Sequence, residues 1–183
     1  MEMFRPTKDG GASVRLSAGE ATLLRTLVIP VMDLLGETPD KPVSVLDDLE
    51  SILDDQQPPP QAPQDPVLAR LLPDAYSDDP AAAGEFRKYT ESSLREAKKY
   101  FAQTLLDTLP PSGGKVTLTG EQARDWLRAL NDVRLMFGVR LEVTEDFEEQ
   151  LAVLDPQDPK VAALEVYGWL GAVQESLVQA LAR

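Results

Sequence analysis

The sequence predicts a mainly α-helical fold, a bundle of about five or six helices with a small N-terminal β-hairpin. Long stretches carry apolar residues three and four positions apart, the spacing of a helix with one buried face. Five of these stretches follow side chains that cap helices. Short extended patterns between turn residues occur only near the N-terminus and after residue 114.

The first element is a β-hairpin formed by residues 3–5 and 12–16. Gly10 and Gly11 lie between the two runs, and glycine tolerates the positive φ values of a tight turn. A short strand at residues 115–118 can join this hairpin. The alternation of apolar and charged side chains predicts a further strand at residues 139–143.

Two helices are predicted to begin at capping boxes, in which two side chains satisfy free backbone N–H groups at the helix start. The boxes are Ser17 with Glu20 and Thr119 with Gln122. The first starts a helix over residues 18–35, in which Pro30 is expected to cause a kink or a break. The second starts a helix to about residue 137, which Gly138 should end.

Three more helices are predicted at Asp-Pro pairs, where aspartate caps the helix and proline fits its first position. The pairs are Asp65-Pro66, Asp79-Pro80 and Asp158-Pro159. They predict a short helix ending at Pro73, the longest helix over 80–109 and a final helix over 160–182. We expect the apolar side of the longest helix to contain Phe86, Tyr89, Ala97, Phe101 and Leu105.

The chain is long enough to form one domain over residues 1–183, since 43% of its residues are apolar. Residues 37–64 are acidic and contain prolines, and we interpret them as a flexible segment within that domain. Residues 43–53 form a short amphipathic pattern inside this segment. The three prolines at 58–60 cannot occupy a helix interior.

The composition argues against most enzyme mechanisms. Histidine and cysteine are absent, which excludes Ser-His-Asp and Cys-His nucleophiles and zinc sites built on those residues. Carboxylate, lysine, tyrosine and serine chemistry remains, as does hard-cation binding through oxygen. Acidic pairs such as Asp54-Asp55 and Glu148-Glu149 lack the ligand order of a calcium loop, so we interpret them as solvated surface. We therefore expect no metal site and no cofactor, and the composition favours a protein that is not an enzyme.

The net charge of −13 is concentrated in one part of the chain. Residues 33–79 contain twelve acids and two bases, which gives this part a net charge of −10. Because such a field repels phosphate, we expect no nucleic-acid partner. No apolar run approaches the roughly 18–20 residues that span a bilayer, and the first residues lack a secretory pattern. These features predict a cytoplasmic protein without a membrane partner.

The first candidate site consists of Asn131, Arg134 and Arg140, in a stretch otherwise rich in apolar residues. A partly buried arginine needs an anionic or carbonyl partner. These residues therefore either form a structural network or line a pocket that binds a carboxylate or phosphate.

The second candidate is a basic face on the longest helix, formed by Lys88, Arg95 and Lys99. Glu91 lies four residues before Arg95, a spacing that favours an ion pair. The basic face either complements the acidic residues 33–79 of the same chain or docks an acidic protein partner.

Three strings of residues resemble an actinobacterial family, domain of unknown function 2017 (DUF2017). They are residues 65–76, residues 129–141, and residues 167–170 with 174–177. The resemblance implies a small cytoplasmic protein without an assigned activity and therefore provides no catalytic residues. Genes of this family often lie near the gene for the ClpS adaptor, which implies a role near regulated proteolysis and a partner in the Clp system.

The leading hypothesis is a non-enzymatic interaction or accessory protein, linked to regulated proteolysis. The alternative is a small-molecule or anion-binding protein, or an enzyme, that uses the cluster of Asn131, Arg134 and Arg140. A solvent-open guanidinium in a pocket favours the second hypothesis, and fully paired buried guanidiniums favour a structural role.

Overall fold

The computed structural model describes residues 2–36, 61–76, 78–155 and 157–182. These residues form six helices and a three-stranded sheet, which confirms the mainly α-helical prediction with its N-terminal hairpin. The elements are β1 (Arg5–Pro6), β2 (Ala12–Leu16), α1 (Ala18–Leu34), α2 (Pro66–Leu71), α3 (Pro80–Thr108), β3 (Gly114–Leu118), α4 (Gly120–Arg140), α5 (Phe147–Val153) and α6 (Pro159–Leu181). The amphipathic pattern at 43–53 and most of the acidic segment 37–64 lie outside the described residues.

The sheet is antiparallel, with strand order β1-β2-β3, so the predicted third strand does join the hairpin. Gly10 has a φ of 74°, as its turn position requires. Gly11 is needed for a different reason. A Cβ atom at this position would lie 2.0 Å from the Leu118 carbonyl oxygen, because the turn backbone passes directly over the end of β3.

All five predicted helix starts are confirmed. Both capping boxes are formed, and the Asp65, Asp79 and Asp158 carboxylates accept backbone N–H groups in the first turns of α2, α3 and α6. α1 runs without interruption across Pro30, so the predicted break does not occur. Val28 and Val31, on either side of the proline, are buried, and their packing outweighs the local cost of the missing hydrogen bond.

The predicted strand at 139–143 is wrong. α4 continues through Gly138 to Arg140 and ends in a Schellman motif, in which Glu142 adopts a φ of 53°. The Val143 N–H donates to the Gly138 carbonyl at 2.9 Å, and the Glu142 N–H donates to the Val139 carbonyl at 3.2 Å. These bonds satisfy the last carbonyls of the helix. The short helix α5 follows, in a stretch for which the sequence analysis predicts no helix.

The core is centred on Trp126 of α4, which is fully buried. Its indole N–H donates to the Thr108 hydroxyl of α3 at 2.7 Å. The Phe4 ring packs edge to face against it, with the ring centroids 5.8 Å apart. The Phe4 N–H donates to the Ser176 hydroxyl of α6 at 3.3 Å. Phe4 therefore fixes the N-terminal hairpin to α4 and α6, and Trp126 in turn joins α4 to α3.

The close approach at Gly11 gives a stability prediction. Gly11→Ala must displace the β3 backbone, and we expect it to lower the free energy of unfolding by about 3 kcal/mol. Gly19 lies in the first turn of α1, where an added Cβ would have no atom within 4 Å. Gly19→Ala is therefore the matched control and should be neutral or stabilising by up to about 1 kcal/mol. Urea unfolding measures both, and equal effects would contradict the backbone geometry.

Candidate functional site

A buried arginine anchors the first half of α3. Arg87 is 6% exposed. Its Nη2 donates to the Asp74 carboxylate at 2.6 Å and to the Leu72 carbonyl at 3.3 Å, and its Nη1 donates to Glu91 at 2.7 Å. A guanidinium at this depth requires such partners, since an uncompensated buried charge is strongly destabilising. The contacts hold the segment after α2 against α3.

Glu91 connects Arg87 to Arg95 in a chain of alternating charges. Its carboxylate accepts from Arg95 at 2.8 Å, so the predicted i, i+4 pair is confirmed. Partial burial opposes ionisation of Glu91, but the hydrogen bonds from the two arginines outweigh it and lower its pKa. Arg95 also donates to the Leu35 carbonyl at 2.9 Å. The C-terminal end of α1 is thereby tied to α3.

The burial of Arg87 sets the rotation of α3 about its axis. Ala83 and Gly84 are buried on the same side as Arg87. Phe86 and Tyr89, which the apolar spacing predicts on the inner side, are instead 47% and 58% exposed. That prediction is wrong because an arginine, rather than an aromatic residue, occupies the inward position of this turn.

A groove of about 420 Å³ lies between this half of α3 and residues 72–75. Its lining includes Leu72, Phe86 and Leu94. The Tyr76 ring, which is itself exposed, packs edge to face against Phe86 with the ring centroids 6.1 Å apart. Phe86 and Arg87 both line the groove, and Tyr76 packs against Phe86. We call the exposed pair of Tyr76 and Phe86 the aromatic rim.

A second depression, of about 320 Å³, continues from Leu94 toward α4. Leu94 lines both depressions, and we refer to them together as the α3 groove. The Arg128 guanidinium lies 4.7 Å from the centre of the Phe101 ring in this part, a distance typical of a cation–π contact. Asn131 is exposed on the α4 wall.

An ion pair joins α3 to α4 in this second part. The Lys98 ammonium lies 2.6 Å from the carboxylate of Asp132, which is 2% exposed. Desolvation raises the pKa of Asp132, and the hydrogen bond and charge of Lys98 compensate only in part. Lys98 is therefore the partner on which the buried carboxylate depends.

The predicted basic face is largely engaged within the protein. Arg95 binds Glu91 and the Leu35 carbonyl. Lys88 and Lys99 are half-buried and each takes part in an interaction. The described walls of the α3 groove are formed by other side chains. A role for the basic face in partner binding stays a prediction.

Arg134 lies on a different side of α4, against α6. Its Nη1 donates to the Gln174 side-chain oxygen at 2.9 Å, and its guanidinium lies 5.2 Å from the centre of the Tyr167 ring. A pocket of about 360 Å³ opens beside it, and Arg70 of α2 also lines this pocket. We call it the arginine pocket.

The structure does not bring Asn131, Arg134 and Arg140 into one site. Asn131 lines the α3 groove, Arg134 lines the arginine pocket, and Arg140 is exposed at the end of α4. The residues that line the pocket together with Arg134 include Arg70 and Tyr167, which come from other helices. No local sequence pattern pairs positions so far apart, so sequence reasoning missed both.

No helix within residues 2–36, 61–76, 78–155 and 157–182 is long and apolar enough to cross a membrane. Over the same residues, no three Asp or Glu side chains form a group that could hold a metal ion.

The Lys98–Asp132 pair gives a prediction with a defined pH dependence. A carboxyl whose pKa is raised on folding binds its proton more tightly in the native state, so stability falls as pH rises through that interval. Lys98→Met removes the compensating cation and raises the pKa of Asp132 further. We expect a loss of about 3 kcal/mol at neutral pH and a smaller loss near pH 4.

Chemical unfolding at the two pH values measures this difference. Lys115→Met removes an exposed lysine of β3 and is the control. Adding Asp132→Asn to Lys98→Met should remove the extra pH dependence. A loss in Lys98→Met that is the same at both pH values would contradict the buried ion pair.

Comparisons with known proteins agree with the resemblance found in the sequence. The family model described as domain of unknown function (DUF2017) matches residues 1–181. Proteins of Mycobacterium bovis and Mycobacterium tuberculosis H37Rv, each named oxidative stress regulator AosR, are 37% identical, with 96% of this chain and 84% of the relative covered. A Mycobacterium leprae protein whose name also contains "oxidative stress regulator AosR" is 39% identical over 88% of this chain and 78% of its own length. The search of solved structures found no match. The chain belongs to the DUF2017 family.

Proposed function

We propose that the protein is a non-enzymatic regulatory protein that acts by binding a second protein in the α3 groove. The name of its mycobacterial relatives supports a regulatory role. The observation that carries the proposal is the exposed aromatic rim of the groove, formed by Tyr76 and Phe86. Clustered exposed aromatic side chains beside an apolar depression are typical of protein-binding surfaces.

The groove is rigid enough to act as a preformed binding surface. Arg87 in its lining binds Asp74 and Glu91, and Lys98 ties α3 to Asp132. Because these side chains are already paired, a partner need not order them on binding. A preformed surface loses less conformational entropy on association than a mobile one.

The occupant we propose is a basic amphipathic helix of the partner. An elongated groove beside a helix accepts the apolar face of such a segment, with anchors spaced at three and four residues. The chain carries a net charge of −13, and Asp74 on the groove wall has a side chain that is 38% exposed. Basic residues flanking the apolar anchors would be attracted to this field and would speed association.

Oxidant sensing through a thiol cannot take place in these 183 residues, because they contain no cysteine. The relatives are named as regulators in oxidative stress. We infer that a redox signal in a system regulated by this protein is detected by the partner, and that this protein contributes the contact. Thiol-specific oxidants applied to this protein alone should leave partner affinity unchanged.

The resemblance to the family led us to predict a link to regulated proteolysis. The names of the relatives refer to oxidative stress and not to proteolysis. A protein-binding role is compatible with both settings. The Clp system therefore stays a prediction for the identity of the partner.

Site-specific photo-crosslinking in cells tests the proposal. A benzoylphenylalanine introduced at Phe86 should crosslink one partner, whereas the same group at Val153, which is 82% exposed on α5, should not. The captured partner is then purified and its affinity measured. Phe86→Ala and Leu94→Asp should each weaken binding by about tenfold or more, because a few large side chains supply most of the binding energy at such interfaces.

Val153→Ala should leave the affinity unchanged, and binding should weaken as salt screens the opposite charges. A partner whose affinity is insensitive to both groove variants would overturn the proposal. So would equal crosslinking from Phe86 and Val153.

A further inference from the structure

We infer that the arginine pocket binds a small organic anion, with a carboxylate or phosphate group on Arg134 and Arg70 and an apolar body against α4. The pocket lies between α2, α4 and α6, and none of its lining residues lines the α3 groove. This binding activity goes beyond the proposed partner binding and does not depend on it.

The surroundings of Arg134 favour an anionic ligand. Its described partners, the Gln174 amide oxygen and the Tyr167 ring, are both uncharged. Its Nε–H group is buried and has no hydrogen-bond partner. A buried donor without an acceptor costs about 1–3 kcal/mol. An anion bound to this guanidinium would provide the charged partner that the Gln174 oxygen and the Tyr167 ring do not.

The walls of the arginine pocket carry the side chains of an anion-binding site. Arg70 lies in the last turn of α2 and lines the same pocket as Arg134, so two guanidinium groups from different helices border one space. A planar guanidinium group can bind two oxygens of one carboxylate or phosphate group through two parallel hydrogen bonds. The Tyr167 ring lies under the Arg134 guanidinium. This contact restricts its rotation and leaves it preorganised.

The size of the arginine pocket and its apolar lining favour an organic ligand. The pocket volume of about 360 Å³ falls within the range of about 300–1,000 Å³ that holds small ligands. Leu135, Val139 and Val143 line it together with the arginines. This combination fits a ligand with one charged end and a compact apolar body better than it fits a bare inorganic ion.

Glu142 sets the affinity of the pocket. It lines the pocket from the C-terminal turn of α4 and is itself engaged in an interaction. Its carboxylate repels an incoming anion, since like charges at short range are unfavourable. Glu142→Gln keeps the size of the side chain and removes the charge, so it should strengthen anion binding.

Nuclear magnetic resonance of the arginine Nε–H groups tests the inference on the full chain. The probes are benzoate, hexanoate and phenyl phosphate, and benzamide is the neutral control. We expect a saturable shift of the Arg134 Nε–H signal with the anions and none with benzamide. The signal is assigned by its loss in Arg134→Gln. Benzoate against phenyl phosphate distinguishes a carboxylate site from a phosphate site.

Substitutions in and near the arginine pocket test whether the anions bind there. Arg70→Ala changes an exposed position and should weaken binding by about tenfold, the effect of losing one charge-assisted contact. Glu142→Gln should tighten binding several-fold. Arg140→Ala removes an exposed arginine of the same helix that lies outside the pocket and should have no effect.

The inference is overturned if no anion shifts the Arg134 signal saturably at millimolar concentrations. It is also overturned if Arg140→Ala weakens binding as much as Arg70→Ala does. If Arg134→Gln fails to fold, the anion affinities of Arg70→Ala and Glu142→Gln still show whether the arginine pocket binds the anion. A negative outcome here leaves partner binding in the α3 groove untouched, because that groove has separate lining residues.

Discussion

The burial of the Arg87 guanidinium is the interaction on which the functional surface depends. Its partners, Asp74 and Glu91, hold it inward, and this contact fixes the rotation of the first half of α3. Phe86 precedes Arg87 by one residue and therefore points outward, since successive helical residues are separated by about 100°. The ion network therefore places the aromatic rim in solvent.

The helix α4 separates two surfaces with different chemistry. One side, with Asn131 and Asp132, faces α3 and the groove that we assign to a protein partner. Another side carries Arg134 toward α6 and the arginine pocket. Trp126 of the same helix is buried in the core. Both surfaces are therefore supported by one rigid element. Surfaces supported in this way hold their geometry better than surfaces on loops.

Local chemistry explains which parts of the fold were predictable. Ser17, Thr119 and the Asp-Pro pairs marked helix starts correctly because capping depends on side chains within three residues of the start. The strand prediction at 139–143 was wrong because five residues of alternating apolar and charged side chains can also occur at the end of a helix. Here the helix ends at Arg140, and Glu142 adopts the positive φ of its C-terminal motif. The inward position of Arg87 and the placement of Arg70 and Arg134 on one pocket depend on tertiary contacts. No spacing in the sequence encodes them.

The claim that Arg87, and not Phe86, faces the core is tested most directly by the free energies of unfolding of two variants at these neighbouring positions. Arg87→Ala leaves two carboxylates without their cation, and we expect it to lower the free energy of unfolding by about 3 kcal/mol or more. Phe86→Ala removes a side chain that is half exposed, and we expect a loss of about 1 kcal/mol or less. Urea unfolding of both variants measures this order. A larger loss for Phe86→Ala than for Arg87→Ala would show that the aromatic side, and not the arginine, faces the core.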